Sequence, residues 1–167
     1  MDFIAHLLWT WIVFYRSKIL KYALLVGVLP DFLSWGIYSV SRINEQVIGR
    51  PILSELPNWL FTSYNITHSL VIFLLVFGLV WLIFKKVPFY LFAWPVHIGM
   101  DMFSHTKEFF PTPFLWPLSN FTFSGVVWAS PKFMLINYGL IVVFAVTMLI
   151  FKKNLLLMIK DKVKSYF

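Results

Sequence analysis

The sequence predicts an all-α, polytopic membrane protein of about five apolar helices, with a structured proline-rich loop between the last two. Hydrophobic residues fill 60% of the 167 positions and charged residues only 13%. The mean hydropathy is +0.80. Because a soluble domain carries about 25% charged residues, this chain has too few charges to cover a surface that faces water. The basic residues cluster at the ends of apolar runs, as expected for a chain threaded through a bilayer.

Five apolar runs are candidates for these helices, at residues 3–15, 19–40, 66–84, 87–105 and 133–151. A bilayer core about 30 Å thick needs roughly 20 apolar residues in a helix, a length that the third and fifth runs meet clearly. The second and fourth runs are apolar but carry Asp31 and Asp101. The first run is short, which leaves a half-span, a tilted helix and an interfacial helix as alternatives.

The segments between the runs are more polar. Residues 51–61 have a spacing compatible with a short interfacial helix. Residues 106–132 contain four prolines. Since proline costs about 3 kcal/mol inside a helix, we expect a structured loop there. We interpret residues 1–167 as a single helical membrane domain, with residues 153–167 as a basic cytoplasmic tail.

The placement of the basic residues predicts the orientation. Alternate threading puts ten of the 14 lysines and arginines on one side. That side should be cytoplasmic, so the amino terminus lies outside and the carboxyl terminus inside. A net charge of +7 raises nucleic-acid binding as a possibility. We predict no nucleic-acid partner, because no basic stripe interleaves with exposed aromatic residues, and we expect membrane lipids or a lipid-linked substrate instead.

Histidines and acids gather near the outer ends of the predicted helices. Residues four apart share a helix face, so His97 and Asp101 can chelate one ion. His105 lies about 12 Å further along the axis than His97, too far to share that ion unless the helix breaks. His105 is therefore a residue that contacts a metal ligand without binding the ion, a ligand to a second ion, or a general acid or base.

Acids and histidines inside a membrane need partners, and one metal site supplies them together. The chain has no cysteine, which excludes thiolate nucleophiles, disulfides and cysteine-type metal sites. Imidazole and carboxylate ligands suit zinc, manganese or iron, and carboxylates admit magnesium. We predict one or two divalent ions, with zinc preferred.

The order of the motifs resembles the YdjM-like family of bacterial inner-membrane metal-dependent hydrolases, over roughly residues 1–125. The likeness rests on an amino-terminal helix with a histidine, a Leu-Pro-Asp element, a Thr-His-Ser-Leu element, a His-xxx-Asp helix and the proline-rich segment 114–119. The resemblance implies a bacterial inner membrane and a more distant similarity to zinc-dependent phospholipase C enzymes. It implies that the metal ligands are His6, Asp31, His68, His97 and Asp101.

A bound divalent ion lowers the pKa of water toward about 7 and polarises a phosphoryl oxygen, so hydrolysis of a phosphoester in a lipid or lipid-linked substrate is the predicted reaction. Asp101 or Asp31 shares the ion, and His105 handles the proton of the leaving group, with Glu108 in reserve. Lys107, Lys132 or Arg50 is predicted to steer the anion. Trp116 and Ser119, in the segment 114–119, are candidates for substrate contact; Trp94 and Trp128 are further candidates for a lipid slot.

Other classes of protein remain open from the sequence. His68 and His97 on facing helices can bind a haem iron axially, without any enzymatic activity. Intramembrane histidines and acids also occur in proteins that handle or carry metal ions. A structural scaffold with accidental polar groups is a further alternative, and it predicts tolerance of alanine at every histidine.

Overall fold

A computed structural model describes residues 1–43 and 51–164, and for residues 152–164 it describes the backbone alone. The fold is all-α. The α-helices are α1 (Phe3–Phe14), α2 (Leu20–Asp31), α3 (Ile37–Ser41), α4 (Asn58–Thr67), α5 (Leu70–Phe84), α6 (Ala93–Ser104) and α7 (Pro131–Lys164). A π-helical turn at Phe32–Gly36 joins α2 to α3, and short 3-10 turns at Leu53–Glu55 and Phe89–Phe92 precede α4 and α6.

Two helical stretches are long and apolar enough to cross a membrane, Leu20–Ser41 and Pro131–Phe151, and α4 with α5 makes a third if that bent pair is one span. The prediction of about five spans is therefore supported for two or three. Helices α1 and α6 have 12 residues each. At 1.5 Å per residue such a helix is only about 18 Å long.

The predicted helix at 66–84 is broken. α4 and α5 meet at 57° across His68 and Ser69. Ser69 caps α5, because its hydroxyl accepts hydrogen bonds from the backbone N–H groups of Val71 (3.1 Å) and Ile72 (3.2 Å). The helix expected within 51–61 begins at Asn58 and continues to Thr67.

The second predicted run is one continuous helical stretch that changes its winding after Pro30. Pro30 lies inside α2, and the π-helical turn starts two residues later. Proline cannot donate its backbone nitrogen, and π turns inside helices frequently mark functional sites. The Ser34 hydroxyl donates to the Pro30 carbonyl at 2.9 Å, which ties the two turns together.

Helices α1 and α2 approach closely at a glycine. A Cβ atom added to Gly27 would lie 2.5 Å from the Thr10 hydroxyl oxygen and 2.8 Å from its methyl carbon. Only a residue without a side chain fits between the helices here. This contact brings His6 on α1 beside the carboxyl end of α2, where Asp31 lies.

The proline-rich loop is irregular, as predicted, and it covers the end of α6. The backbone N–H groups of Gly125, Val126 and Trp128 donate to the carbonyls of His105, Phe103 and Ser104 at 2.8–3.2 Å. These are carbonyls that a helix end leaves without a partner. A Cβ atom on Gly125 would collide with the Phe103 carbonyl group.

Helix α7 follows this loop and starts at Pro131, a residue favoured at the first position of a helix. The Ser130 hydroxyl accepts from the backbone N–H of Phe133 at 3.3 Å. Ile141 packs against Ala5 and Ile12 of α1. The backbone of the predicted basic tail, from residue 153, continues α7 as a helix to Lys164.

Candidate metal centre

Six buried ionisable side chains meet where the amino-terminal helix, the Pro30 turn, the α4–α5 break and the end of α6 come together. All four histidines of the chain belong to this group. Four of the six residues are 0% exposed, and the other two are at most 9% exposed. The members are His6, Asp31, His68, His97, Asp101 and His105.

Breaks in the helices place three of these side chains. Asp31 is the last residue of α2, directly after Pro30. His68 follows the last residue of α4, where the chain turns into α5. His105 follows α6 in an extended conformation. His105 Nε2 lies 3.4 Å from Asp101 Oδ1, and His105 is not among the side chains found close enough to share one ion with His97.

Four side chains, Asp31, His68, His97 and Asp101, could hold one metal ion. Each offers one ligand atom, and these atoms all lie within 4.8 Å of one another. The Nε2 atoms of His68 and His97 are 3.2 Å apart. Asp101 Oδ2 is 3.3 Å from His68 Nε2 and 3.2 Å from His97 Nε2. Asp31 Oδ1 is 3.5 Å from His68 Nε2 and 3.8 Å from His97 Nε2.

These distances fit a tetrahedral ion. Zinc binds histidine nitrogen and carboxylate oxygen at about 2.0–2.2 Å, so the edges of a tetrahedron around it measure about 3.3–3.6 Å. The three distances among His68, His97 and Asp101 are at or just below this range, and those to Asp31 are at or slightly above it. Two nitrogens and two oxygens around one point form a donor set suited to a divalent cation.

The ring nitrogens that face away from the centre are anchored on the backbone. His97 Nδ1 donates to the Gly27 carbonyl at 2.7 Å. His68 Nδ1 donates to the Tyr64 carbonyl at 3.1 Å and lies 3.0 Å from the Thr67 hydroxyl. Such partners fix the tautomer of metal-binding histidines and orient their rings.

These hydrogen bonds to backbone carbonyls determine the tautomers of His68 and His97 when the two rings are neutral. A carbonyl only accepts, so the proton of a neutral His68 or His97 is on Nδ1 and its Nε2 carries a lone pair. The two lone pairs therefore face each other at 3.2 Å. Asp101 Oδ2 faces both, is buried, and has no hydrogen-bond partner. Electron pairs so close together, with two carboxylates in a buried site, need a positive charge among them, from a bound cation or from a proton on one of the rings.

His6 and His105 lie on the other side of the Asp101 carboxylate. His6 Nε2 is 2.9 Å and His105 Nε2 is 3.4 Å from Asp101 Oδ1. The Met1 nitrogen donates to the same oxygen and lies 2.8 Å from His105 Nε2. The ring of His6 stacks on that of His97, with centroids 3.7 Å apart. All five ligands that the family resemblance implies are therefore neighbours.

The other candidate residues lie further out. Glu108 and Lys107 are exposed. Hydrogen bonds from its own backbone N–H and from Thr106 lower the pKa of the Glu108 carboxyl, so it is an anion near neutral pH. Ser119 is half-buried, and its hydroxyl accepts from the Phe121 N–H at 3.1 Å. The Trp116 carbonyl accepts from the Ser69 hydroxyl.

Of the residues predicted to steer an anion, Lys132 is exposed at the start of α7. Arg50 lies outside the described residues. Trp94, a candidate for a lipid slot, donates from its ring nitrogen to the Thr67 carbonyl at 2.6 Å and so packs behind His68 instead.

Sequence reasoning missed several groups that shape the centre. The Gly27 carbonyl carries no sequence signal, because any residue has one. The Tyr64 ring stacks on His68 with centroids 3.8 Å apart. Aromatic residues are so frequent in this chain that nothing marked this one. Of these groups, only Thr67 had a sequence signal, because its hydroxyl is adjacent in the chain to the predicted metal ligand His68 and can contact the ring nitrogen that faces away from the metal.

Next to the centre is a cavity of about 340 Å³. Asp31 and His105 contribute to its wall, and most of the remaining wall is apolar or aromatic, including Trp35, Phe109 and Trp128. A neighbouring cavity of about 330 Å³ shares His105, Phe109 and Trp128. The predicted role of Trp128 near the centre agrees with this position.

The geometry does not favour the haem alternative. Axial ligands lie on opposite faces of the iron, so two bonds of about 2 Å place their nitrogens about 4 Å apart with the macrocycle between them. The Nε2 atoms of His68 and His97 are only 3.2 Å apart. Both also face the Asp101 carboxylate, which occupies the space that a macrocycle would need.

Comparison of the chain with protein-family models, curated proteins and solved structures finds no match. The resemblance to the YdjM-like family therefore rests on the short motifs alone. Fold and site define a coarser class: a helical protein with two or three candidate membrane spans and a buried histidine and aspartate centre able to hold a metal ion.

Proposed function

We propose that the chain is a membrane-embedded, metal-dependent hydrolase that cleaves a phosphoester in a lipid or lipid-linked substrate at the outer interface of a bacterial inner membrane. The observation that carries the proposal is the meeting of two histidine lone pairs and an unpartnered carboxylate oxygen at the edge lengths of a tetrahedral metal site. The predicted orientation, with the amino terminus outside, places this centre toward the outer leaflet.

Zinc is the proposed metal. Four protein ligands from His68, His97, Asp31 and Asp101 suit it in number and type, and manganese or iron would accept the same donors. Magnesium prefers six oxygen ligands, so two imidazoles make it the weakest candidate. Asp31 is the most distant of the four, at 3.5–3.8 Å from the histidine nitrogens. It is therefore the ligand that most readily yields its position to water or substrate.

A divalent cation here supplies Lewis acidity and a water of lowered pKa. The chain's own groups then have defined tasks. His68, His97 and Asp101 would hold the cation, and Asp31, at the cavity wall, would complete the ligand set until water or substrate takes its place. When water attacks phosphorus and the bond to the leaving alcohol breaks, that alcohol needs a proton.

His105 is the proposed source of the proton. Its Nδ1 donates to the Phe110 carbonyl at 2.8 Å, which fixes the ring with Nε2 toward Asp101 and the cavity. Its Nε2 lies 2.8 Å from the Met1 ammonium, which can supply the ring with a proton, and 3.4 Å from Asp101 Oδ1. Glu108 remains the reserve candidate on sequence grounds, although its exposed carboxylate already accepts two local hydrogen bonds.

The shape of the cavity supports an amphiphilic substrate. Asp2, Asp31 and His105 lie in its wall, together with aromatic residues that suit a hydrocarbon chain. Lys107, two residues beyond His105, is proposed to steer the anionic headgroup. Trp116 and Ser119 remain proposed for contact with the substrate from the loop that follows.

The proposal is tested by turnover of a panel of lipid phosphoesters by the purified protein in nanodiscs. We expect turnover that a chelator abolishes and zinc restores, and at least a hundredfold loss in Asp101→Asn and His97→Ala. Glu55→Gln, an exposed carboxylate in the turn before α4, is the matched control and should keep full activity.

Absence of metal-dependent turnover on every substrate would end the hydrolase proposal. A protein that binds zinc tightly but turns nothing over would instead be one that handles metal ions. Retention of activity in both site variants would place the chemistry elsewhere in the molecule.

A further inference from the structure

The two buried carboxylates each face histidines with both of their oxygens. Asp101 directs Oδ2 toward His68 and His97 and Oδ1 toward His6, whose Nε2 is 2.9 Å away. Asp31 divides its oxygens in the same way. Its Oδ1 faces His68 and His97, and its Oδ2 lies 3.8 Å from His6 Nε2. The centre therefore has two sides that share two carboxylates.

The second side has its own donor set. His6 Nε2, Asp101 Oδ1 and Asp31 Oδ2 belong to it, and none of these atoms is needed for the tetrahedral arrangement on the first side. The Met1 ammonium donates to Asp101 Oδ1 on this side, so a cation bound here would take its place at that oxygen. His6 is 0% exposed, and its Nδ1 has no hydrogen-bond partner. No backbone group thus fixes this ring, which its stacking on His97 and its contact with Asp101 hold in place.

We propose that a second divalent cation binds between His6 Nε2, Asp31 Oδ2 and Asp101 Oδ1, so that both carboxylates bridge two ions. Carboxylate-bridged ions about 3.5–4 Å apart recur in enzymes that cleave phosphoesters, where they hold the attacking and leaving oxygens of one displacement. Three protein ligands leave a coordination position open, as in catalytic rather than structural sites.

Charge supports an anionic ligand at such a pair. Two carboxylates neutralise one divalent cation, so two cations leave the buried centre with a net charge of +2 when its histidines are neutral, and the buried Met1 ammonium adds to that positive charge. A phosphoester monoanion or dianion complements that charge, whereas a neutral ester or amide does not. The inference rests on the metal centre of the proposed function, and it narrows the substrate of that centre to anionic phosphoesters.

Metal content of the protein purified in detergent tests the inference without any activity assay. Loaded with zinc and desalted, the wild type should hold two ions per chain and His6→Gln one. His105→Gln is the matched control, because it changes an imidazole at the same centre that is not a ligand in this proposal. It should keep two ions while losing turnover.

A second readout needs no variant. Manganese loaded at two equivalents per chain should give the exchange-coupled electron paramagnetic resonance spectrum of a bridged pair. One ion per chain in the wild type, an unchanged count in His6→Gln, or only the six-line spectrum of isolated manganese would each overturn the inference.

The two proposals fail separately. One ion per chain with metal-dependent turnover would remove the second cation and leave the hydrolase. Two bridged ions without turnover of any phosphoester would keep the second cation and remove the hydrolase.

Discussion

Helix α7 and the metal centre are built on opposite principles. From Pro131 to Phe151, α7 is an apolar helix whose side chains are largely exposed in the isolated chain, as suits contact with lipid; Val142, for instance, is 59% exposed. The metal centre is assembled from short helices and helix breaks, and its ligands are almost wholly buried. In α7 composition suffices to specify an element, whereas at the centre individual atoms must meet within a few tenths of an ångström.

The largest contrast is expected between a ligand and a lipid-facing residue. Asp101→Asn removes one negative charge from a buried set and leaves histidine lone pairs without a bound cation. We expect loss of the metal and a fall in the free energy of unfolding of about 3–5 kcal/mol. Metal analysis and thermal unfolding in detergent measure both effects.

Val142→Leu is the matched change in α7 and should alter unfolding by less than about 0.5 kcal/mol. The comparison between the two regions would break down if the two variants behaved alike. A chelator should likewise lower the unfolding temperature of the wild type but leave that of Asp101→Asn unchanged.

A close approach between helices should matter next. Gly27→Ala forces a Cβ atom against Thr10 and shifts α2, whose Gly27 carbonyl holds His97. Overpacking of this kind costs about 1–3 kcal/mol. Unfolding of the single variant and of Gly27→Ala with Thr10→Ala measures this cost. The second substitution should recover part of it, because it removes the two nearest atoms.

Gly78→Ala in α5 is the control, because nothing lies within 4 Å of the added carbon. It should be neutral, or stabilising by about 0.5–1 kcal/mol, because alanine favours a helix more than glycine does. Equal destabilisation by both alanines would mean that the contact between α1 and α2 does not position the centre.

The smallest effect is expected for a side chain that contacts a metal ligand but not the metal itself. Thr67→Val removes the hydroxyl beside His68 Nδ1 but leaves the Tyr64 carbonyl in place. Zinc affinity, measured by competition with a chelating dye, should fall about tenfold. Thr62→Val is the control on the same helix, since its hydroxyl binds only the Asn58 carbonyl at 3.2 Å. A fall of the same size in the control would argue that helix stability, not the partner of His68, sets the affinity.

The sequence predicted the members of the centre better than its framework. Each histidine and both intramembrane acids stood out because polar groups are scarce in an apolar chain, and charge burial gave the reason to join them. The helix breaks were less visible. Thr67 to Ser69 lies at the start of a run that reads as one span, and only the cap made by the Ser69 hydroxyl, together with its contact to the Trp116 carbonyl, reveals the turn.

Two or three of the roughly five predicted spans are found among the described residues, for a related reason. Hydropathy counts apolar residues but not where a helix begins. The run at 87–105 looks long enough, yet its helix starts only at Ala93, after a 3-10 turn, and it ends at Ser104. His105 lies four residues after Asp101, so its ring reaches that carboxylate by the spacing of one helix face.

By itself, the amino-acid sequence determined that the chain belongs in an apolar environment, that it is helical, and that its few buried polar groups are imidazoles and carboxylates. These properties follow from composition and from the free energy of moving side chains out of water. Only the tertiary structure decided which oxygen of each carboxylate faces which ring, because that depends on breaks in the helices and on backbone carbonyls that every residue possesses. The order of the residues does not show which remote parts of the chain lie within a few ångströms of one another.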